Sequence, residues 1–163
     1  MTVMTAPQCL TIGIALALLV PLAVCAADSA DPVVGSWILN VGKSKFGSQP
    51  VPTNQVRTYT ETPHGLEVIV KGENAAGEAD VYESTFKYDG KDYPATGSPD
   101  FDTIAVRHVS PLVIRGVLKR GHRIVGHLLR VESKDGQRLT VTERLRGPKG
   151  EVLHEVLVYD RQP

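Results

Sequence analysis

Apolar and polar positions alternate with a period of two through most of the chain beyond residue 54, and turn residues cut the alternation at regular intervals. The run Val56-Arg57-Thr58-Tyr59-Thr60-Glu61 is rich in β-branched residues and reads as a strand. Pro63-His64-Gly65 follows with the Pro and Gly that a tight turn prefers. Residues 66–71 put Leu66, Val68 and Val70 on one face, and residues 81–88 set Tyr82, Ser84, Phe86 and Tyr88 together. Asp89-Gly90 is a hairpin signal and leads to a short return strand over 91–95. Further strands are expected over 103–108, 112–119, 124–131, 139–145 and 152–159. They are separated by Arg120-Gly121, Asp135-Gly136 and Pro148-Lys149-Gly150. With residues 35–40 this gives about eight to ten strands and an all-β antiparallel meander. Closure into a barrel would hide both edge strands, which otherwise invite aggregation.

The N-terminal segment is of another kind. It has no Asp, Glu, Lys or Arg before Asp28, and residues 10–24 are nearly all apolar. The run is too short, and too near the N-terminus, for a membrane span. It ends in Val24-Cys25-Ala26-Ala27, whose small residues suit a leader peptidase. Residues 1–26 are therefore expected to be a signal peptide, with one barrel domain over 27–163 in the periplasm or outside the cell. The rival route is a lipid anchor on Cys25 through Leu22-Ala23-Val24-Cys25, but Val24 stands where that motif wants Gly, Ala or Ser.

Both cysteines, Cys9 and Cys25, fall in the leader, so the mature domain has neither thiol nor disulfide and rests on its core. Lys plus Arg and Asp plus Glu number 18 each. That balance argues against nucleic acid as a partner and against an anionic membrane surface. The mature chain carries no segment for membrane insertion, and the sequence leaves its oligomeric state open. Residues 41–53, with two glycines and two prolines, cannot hold a long helix. They read as an irregular crossing with one helical turn, which lays Phe46 over a barrel end. The crossing is either a ligand gate or a solvated loop pinned by that Phe.

Gly35-Ser36-Trp37 holds the only tryptophan of the chain. A Gly-x-Trp on a first strand, followed by a long meander, resembles the lipocalin and calycin barrels. That resemblance implies Trp37 packed inside the closed base, with a basic residue over its ring, a place that Arg161 fills. In the related fatty-acid-binding barrels an Arg-x-Tyr on the last strand grips a carboxylate. Here the order is reversed in Tyr159-Asp160-Arg161, so Arg161 is read as the cover of Trp37.

Further stretches carry a narrower likeness: Lys43-Ser44-Lys45-Phe46, Tyr88-Asp89-Gly90-Lys91-Asp92-Tyr93-Pro94, Leu139-Thr140-Val141-Thr142 and Leu157-Val158-Tyr159-Asp160. They resemble a family of small exported bacterial lipocalin-like proteins of unknown function. The likeness implies fold and export and brings no catalytic residue.

Enzymatic signatures are missing: there is no phosphate loop, no Gly-x-Ser-x-Gly and no His-Glu-x-x-His. No His-x-His pair offers two imidazoles to a metal. Asp100 and Asp102 have that spacing within Ser98-Pro99-Asp100-Phe101-Asp102, but a calcium loop needs more oxygen donors. No cofactor, metal site or catalytic residue is expected. The candidate ligand-binding interior is Tyr82, Ser84 and Phe86, with His127, Leu139 and Glu143 on neighbouring strands. His127 shares a face with Val125, Leu129 and Val131, as Glu143 does with Leu139, Val141 and Leu145. If its face points inward, Glu143 is an unpaired charge in a cavity or the partner of an arginine such as Arg115. A one-residue shift of register puts it outside.

The leading expectation is an exported barrel that binds a small, largely apolar molecule. The alternatives are an interaction or inhibitor module with a filled barrel, and a cofactor-free isomerase or cyclase.

Overall fold

The computed structural model describes residues 30–74, 76–147 and 149–163. The leader expected over residues 1–26, with Cys9 and Cys25, lies outside the described residues. Ten strands follow one another in chain order among the described residues, and the turn signals read from the sequence fall at the junctions between them. They are β1 (Gly35–Leu39), β2 (Asn54–Thr62), β3 (Gly65–Glu73), β4 (Ala79–Phe86) and β5 (Tyr93–Thr96). The second half adds β6 (Thr103–Ser110), β7 (Val113–Arg120), β8 (Arg123–Glu132), β9 (Arg138–Arg146) and β10 (Val152–Arg161).

Every strand pairs antiparallel with its sequence neighbours, and β1 closes the ring by pairing with both β2 and β10. The result is an all-β closed barrel, the architecture of calycin-like proteins. Asp89-Gly90 makes its turn with Gly90 at φ 73°, a left-handed conformation that glycine adopts at no steric cost.

The base of the barrel is organised around Trp37, which is fully buried. Its indole Nε1 donates 2.8 Å to the carbonyl of Val33, in the arm that precedes β1. The Arg161 guanidinium lies 4.5 Å from the centre of the Trp37 ring. Its Nη2 donates to the carbonyls of Pro32 and Val34 at 2.6 and 2.9 Å. One cation therefore covers the ring and fastens the arm across the base. Leu139 and Tyr159, opposite each other on β9 and β10, are also fully buried.

Beside them, Arg130 lies over the rings of Tyr59 and Tyr88 at 5.1 and 5.7 Å. Its Nη2 donates to the Tyr88 hydroxyl at 2.8 Å, and that hydroxyl donates to Asp31 at 2.6 Å. Tyr88 is held well above the usual phenol range by burial, which the nearby Arg130 only partly offsets.

The opposite end is open. The crossing between β1 and β2 contains one 3-10 turn, Val41–Lys43, whose cap is the Asn40 side chain accepting from Lys43 N–H at 3.1 Å. Lys45 then pairs with Val156 of β10 through two backbone hydrogen bonds of 2.7 and 2.8 Å. That bridge delivers Phe46 to the mouth of the barrel.

Trp37→Ala is expected to destabilise the domain by ~3–5 kcal/mol, the usual cost of emptying a buried aromatic site. Arg161→Ala should cost less, because cation–π contacts contribute about 0.5–2 kcal/mol. Chemical denaturation of the mature domain measures both. A loss under about 1 kcal/mol for Trp37→Ala would place the residue among ordinary surface changes and contradict its role as anchor.

Candidate functional site

Side chains of one strand face reach the interior, so the barrel's register decides which groups meet there. From the base towards the mouth, β2 contributes Tyr59, Arg57 and Gln55, while β3 contributes Val68 and Val70. From β9 and β10 come Val141 and Leu157 and, two pairs nearer the mouth, Glu143 and Glu155. These groups surround an interior chamber of about 320 Å³. That size falls at the lower end of the range of about 300–1,000 Å³ typical of small-molecule sites.

The deeper wall is mostly apolar, built by Phe86, Ile104, Val106, Ile114 and Leu128 with the β3 valines, and Arg130 joins it at the base. The mouth is framed by Phe46, Gln49 and Pro50 on one side and by Ser98, Pro99 and Asp100 on the other. Phe101 folds back from that second loop and packs edge-on against Tyr82, with 5.6 Å between ring centres.

Three ionisable groups meet on the chamber wall. Arg57 donates from Nη1 to the Tyr59 hydroxyl at 3.3 Å, and its guanidinium lies 5.2 Å from the centre of the Tyr159 ring. Its Nε is buried without a hydrogen-bond partner. The Tyr159 hydroxyl bonds to the Gln55 side chain instead, and burial pushes its pKa up to about 12.

Glu143 and Glu155 stand directly opposite each other across β9 and β10. Like charges in that position repel. Burial raises the Glu143 pKa, with Arg57 acting the other way and Asp100 adding to the rise. Burial and then the charge of Glu143 lift Glu155 from its ordinary 4.5 to about 7. The two carboxyls titrate as a unit that still holds a proton near neutrality. Among the described residues, no ion pair within 4.0 Å joins Arg57 to either carboxyl. Nor does any group of three His, Cys, Asp or Glu residues there have the arrangement to hold a metal ion.

The residues singled out from the sequence divide into three sets. Tyr82, Phe86 and Glu143 line the chamber. Ser84 and Leu139 point inward but are spent on structure. Ser84 is buried and donates to the Pro94 carbonyl at 2.8 Å, and Leu139 lies fully buried at the base.

His127 is a correction. It is exposed on the outer face of β8, opposite Val117, while Gly126, Leu128, Arg130 and Glu132 face inward. The more apolar set, Val125, Leu129 and Val131, suggested the interior face, but Leu129 and Val131 lie on the outer side with His127, while a register irregularity at Val125 lets that residue pack against the core. Gly126 fixes the choice, because a Cβ at that position would come within 2.3 Å of the Arg144 carbonyl. Arg115 is exposed on β7 as well, and the arginine that faces Glu143 across the chamber is Arg57. Asp100 and Asp102 diverge: Asp100 borders the mouth, whereas Asp102 accepts the Gly121 N–H at 2.9 Å.

Arg57, Tyr59, Arg130 and Glu155 escaped the sequence reading. Each stands two residues from a large apolar or aromatic residue of the inner face, so strict alternation from Tyr159 and Tyr59 would have exposed Glu155 and Arg57.

The carboxyl pair has a definite linkage sign. The folded protein keeps a proton on Glu155 between pH 4.5 and about 7 that the unfolded chain releases. This contribution to stability is therefore complete below 4.5 and is lost as pH rises towards 7. The lowered carboxyls Asp89, Asp102, Asp135 and Asp160 act in the opposite sense, but only as pH falls through and below their ordinary 3.8. Glu155→Gln should therefore flatten the decline in stability between about pH 5 and pH 8 and stabilise the domain at the upper end. Urea denaturation at the two pH values measures it. An unchanged slope would mean that the two carboxyls do not sense each other.

The resemblance to calycin barrels is thus one of architecture. No family model matches the chain, and no curated protein matches it.

Proposed function

We propose that the chain is an exported barrel that binds a small molecule in its interior, with the apolar body of the ligand on the inner wall and its polar end towards Arg57, Glu143 and Glu155. The observation that carries this reading is the chamber of about 320 Å³ itself, apolar at depth and polar near an open mouth. Few convergent polar groups on an apolar wall are the usual make-up of a ligand site. A module acting only through its exterior would have the interior filled. The charge-free N-terminal segment ending in Cys25-Ala26 supports export.

A second reading, cofactor-free acid–base catalysis, is favoured by the Glu143–Glu155 pair. One protonated carboxyl beside one ionised carboxyl is an acid and a base in a single chamber.

The neutral dye N-phenyl-1-naphthylamine should bind the mature domain saturably, at one site per chain. Val70→Phe, which enlarges a wall residue opposite Tyr82, should weaken that binding at least tenfold while the strand circular dichroism signal persists. Non-saturating binding, or binding indifferent to Val70→Phe, would contradict the interior site. Native mass spectrometry of protein from its own host then separates the two readings. A retained compound returned unchanged after incubation supports binding, and one converted at a rate that falls in Glu143→Gln supports catalysis.

A further inference from the structure

The inner wall holds a guanidinium and a carboxyl pair in one chamber without joining them to each other. Charges enclosed in a poorly polar space are costly unless something answers them. Strand geometry keeps these apart: Arg57 is fixed against Tyr59 and Tyr159, and the two glutamates face each other on the β9–β10 hairpin. One proton on the pair leaves a single negative charge to set against the single positive charge of Arg57.

The chamber's other charged groups do not alter that balance at depth. Arg130 lines the depth as well and its Nη1 has no hydrogen-bond partner, but its Nη2 donates to Tyr88 and Asp31 lies 3.9 Å away to offset its charge. Asp80 and Asp100 border the mouth, where no lysine or arginine among the described residues lines the opening.

This arrangement discriminates among ligand charges. A purely anionic head meets Asp80 and Asp100 at the entrance and the carboxyl pair beside its site. A purely cationic head is repelled by Arg57. A neutral apolar molecule leaves both signs unanswered in a desolvated chamber. A zwitterion answers each group with its opposite and leaves the chamber's net charge unchanged.

We infer that the chamber recognises zwitterionic ligands: an apolar body whose ammonium lies against Glu143 and Glu155 and whose carboxylate lies against Arg57. This rests on the small-molecule reading above and adds the charge class of the ligand. Apolar α- and β-amino acids are the simplest members of that class.

The test is displacement of N-phenyl-1-naphthylamine from the mature domain by probes that share one phenyl body. Phenylalanine and β-homophenylalanine carry both charges. Phenethylamine carries the cation alone, 3-phenylpropanoate the anion alone, and 3-phenylpropan-1-ol neither. At least one zwitterion should bind tenfold or more tightly than each of the three others near pH 7.

Arg57→Gln should bring that zwitterion down to the affinity of phenethylamine. Glu143→Gln/Glu155→Gln should bring it down to that of 3-phenylpropanoate. Circular dichroism checks that each variant is folded, and if one is not, the wild-type ranking alone decides. If the dye binds but neither zwitterion exceeds its singly charged counterparts, the zwitterion assignment is overturned and the binding reading stands. Absence of any saturable dye site would overturn both.

Discussion

The barrel depends on how β1 closes it. This strand has only five residues, yet it must hold β2 on one side and β10 on the other. Trp37 takes part in both pairings, opposite Arg57 of β2 and opposite Arg161 of β10. Directly opposed residues of an antiparallel pair share a face, so all three side chains project to the inside. Arg161 stacks on the indole and ties down the N-terminal arm, whereas Arg57 turns towards the mouth. A slip of either seam by one residue would exchange the faces and expel the anchor.

Much of this was legible in the chain because strand and turn signals are local. Asp89-Gly90, Arg120-Gly121 and Asp135-Gly136 each carry the glycine that a reversal requires, and each lies between the strands expected around it. Trp37 and Arg161 could be paired because each stands near one end of a meander whose ends must meet. The faces were harder to read. On β8 the outward set contains Leu129 and Val131, and the inward set contains Arg130 and Glu132. Hydrophobicity alone gives the wrong orientation here, because a hollow barrel can place polar groups in its chamber and leave apolar ones outside. Ile124 and Leu129, both exposed, are the counterpart of the buried Arg130.

The two arginines that line the chamber, Arg57 and Arg130, illustrate how burial and function diverge. Arg130 is enclosed by two aromatic rings and a hydroxyl relay to Asp31, which ties the base to the N-terminal arm. Its partners come from β2, the segment after β4, and the arm, so it knits distant parts of the chain together. Arg57 has a tyrosine hydroxyl and a ring face, but no carboxylate holds it. A group kept charged in such a place lowers stability unless it is used. Departures from a locally consistent core of this kind concentrate where a protein acts on something else.

The carboxyl pair follows from a single hairpin. The turn between β9 and β10 is closed by Gly147 N–H donating to the Glu151 carbonyl at 2.9 Å, and the ladder continues from Arg146 opposite Val152. Glu143 and Glu155 then fall opposite each other by counting, three pairs further along. A register shift that moved one to the exterior would carry Leu145 or Leu157 out with it and expose the core. The apolar neighbours therefore hold the two glutamates inside, although their mutual repulsion favours parting them. Their raised proton affinity is the electrostatic consequence of a register fixed by leucines. It places an ionisable pair on the mouth side of the chamber's apolar depth.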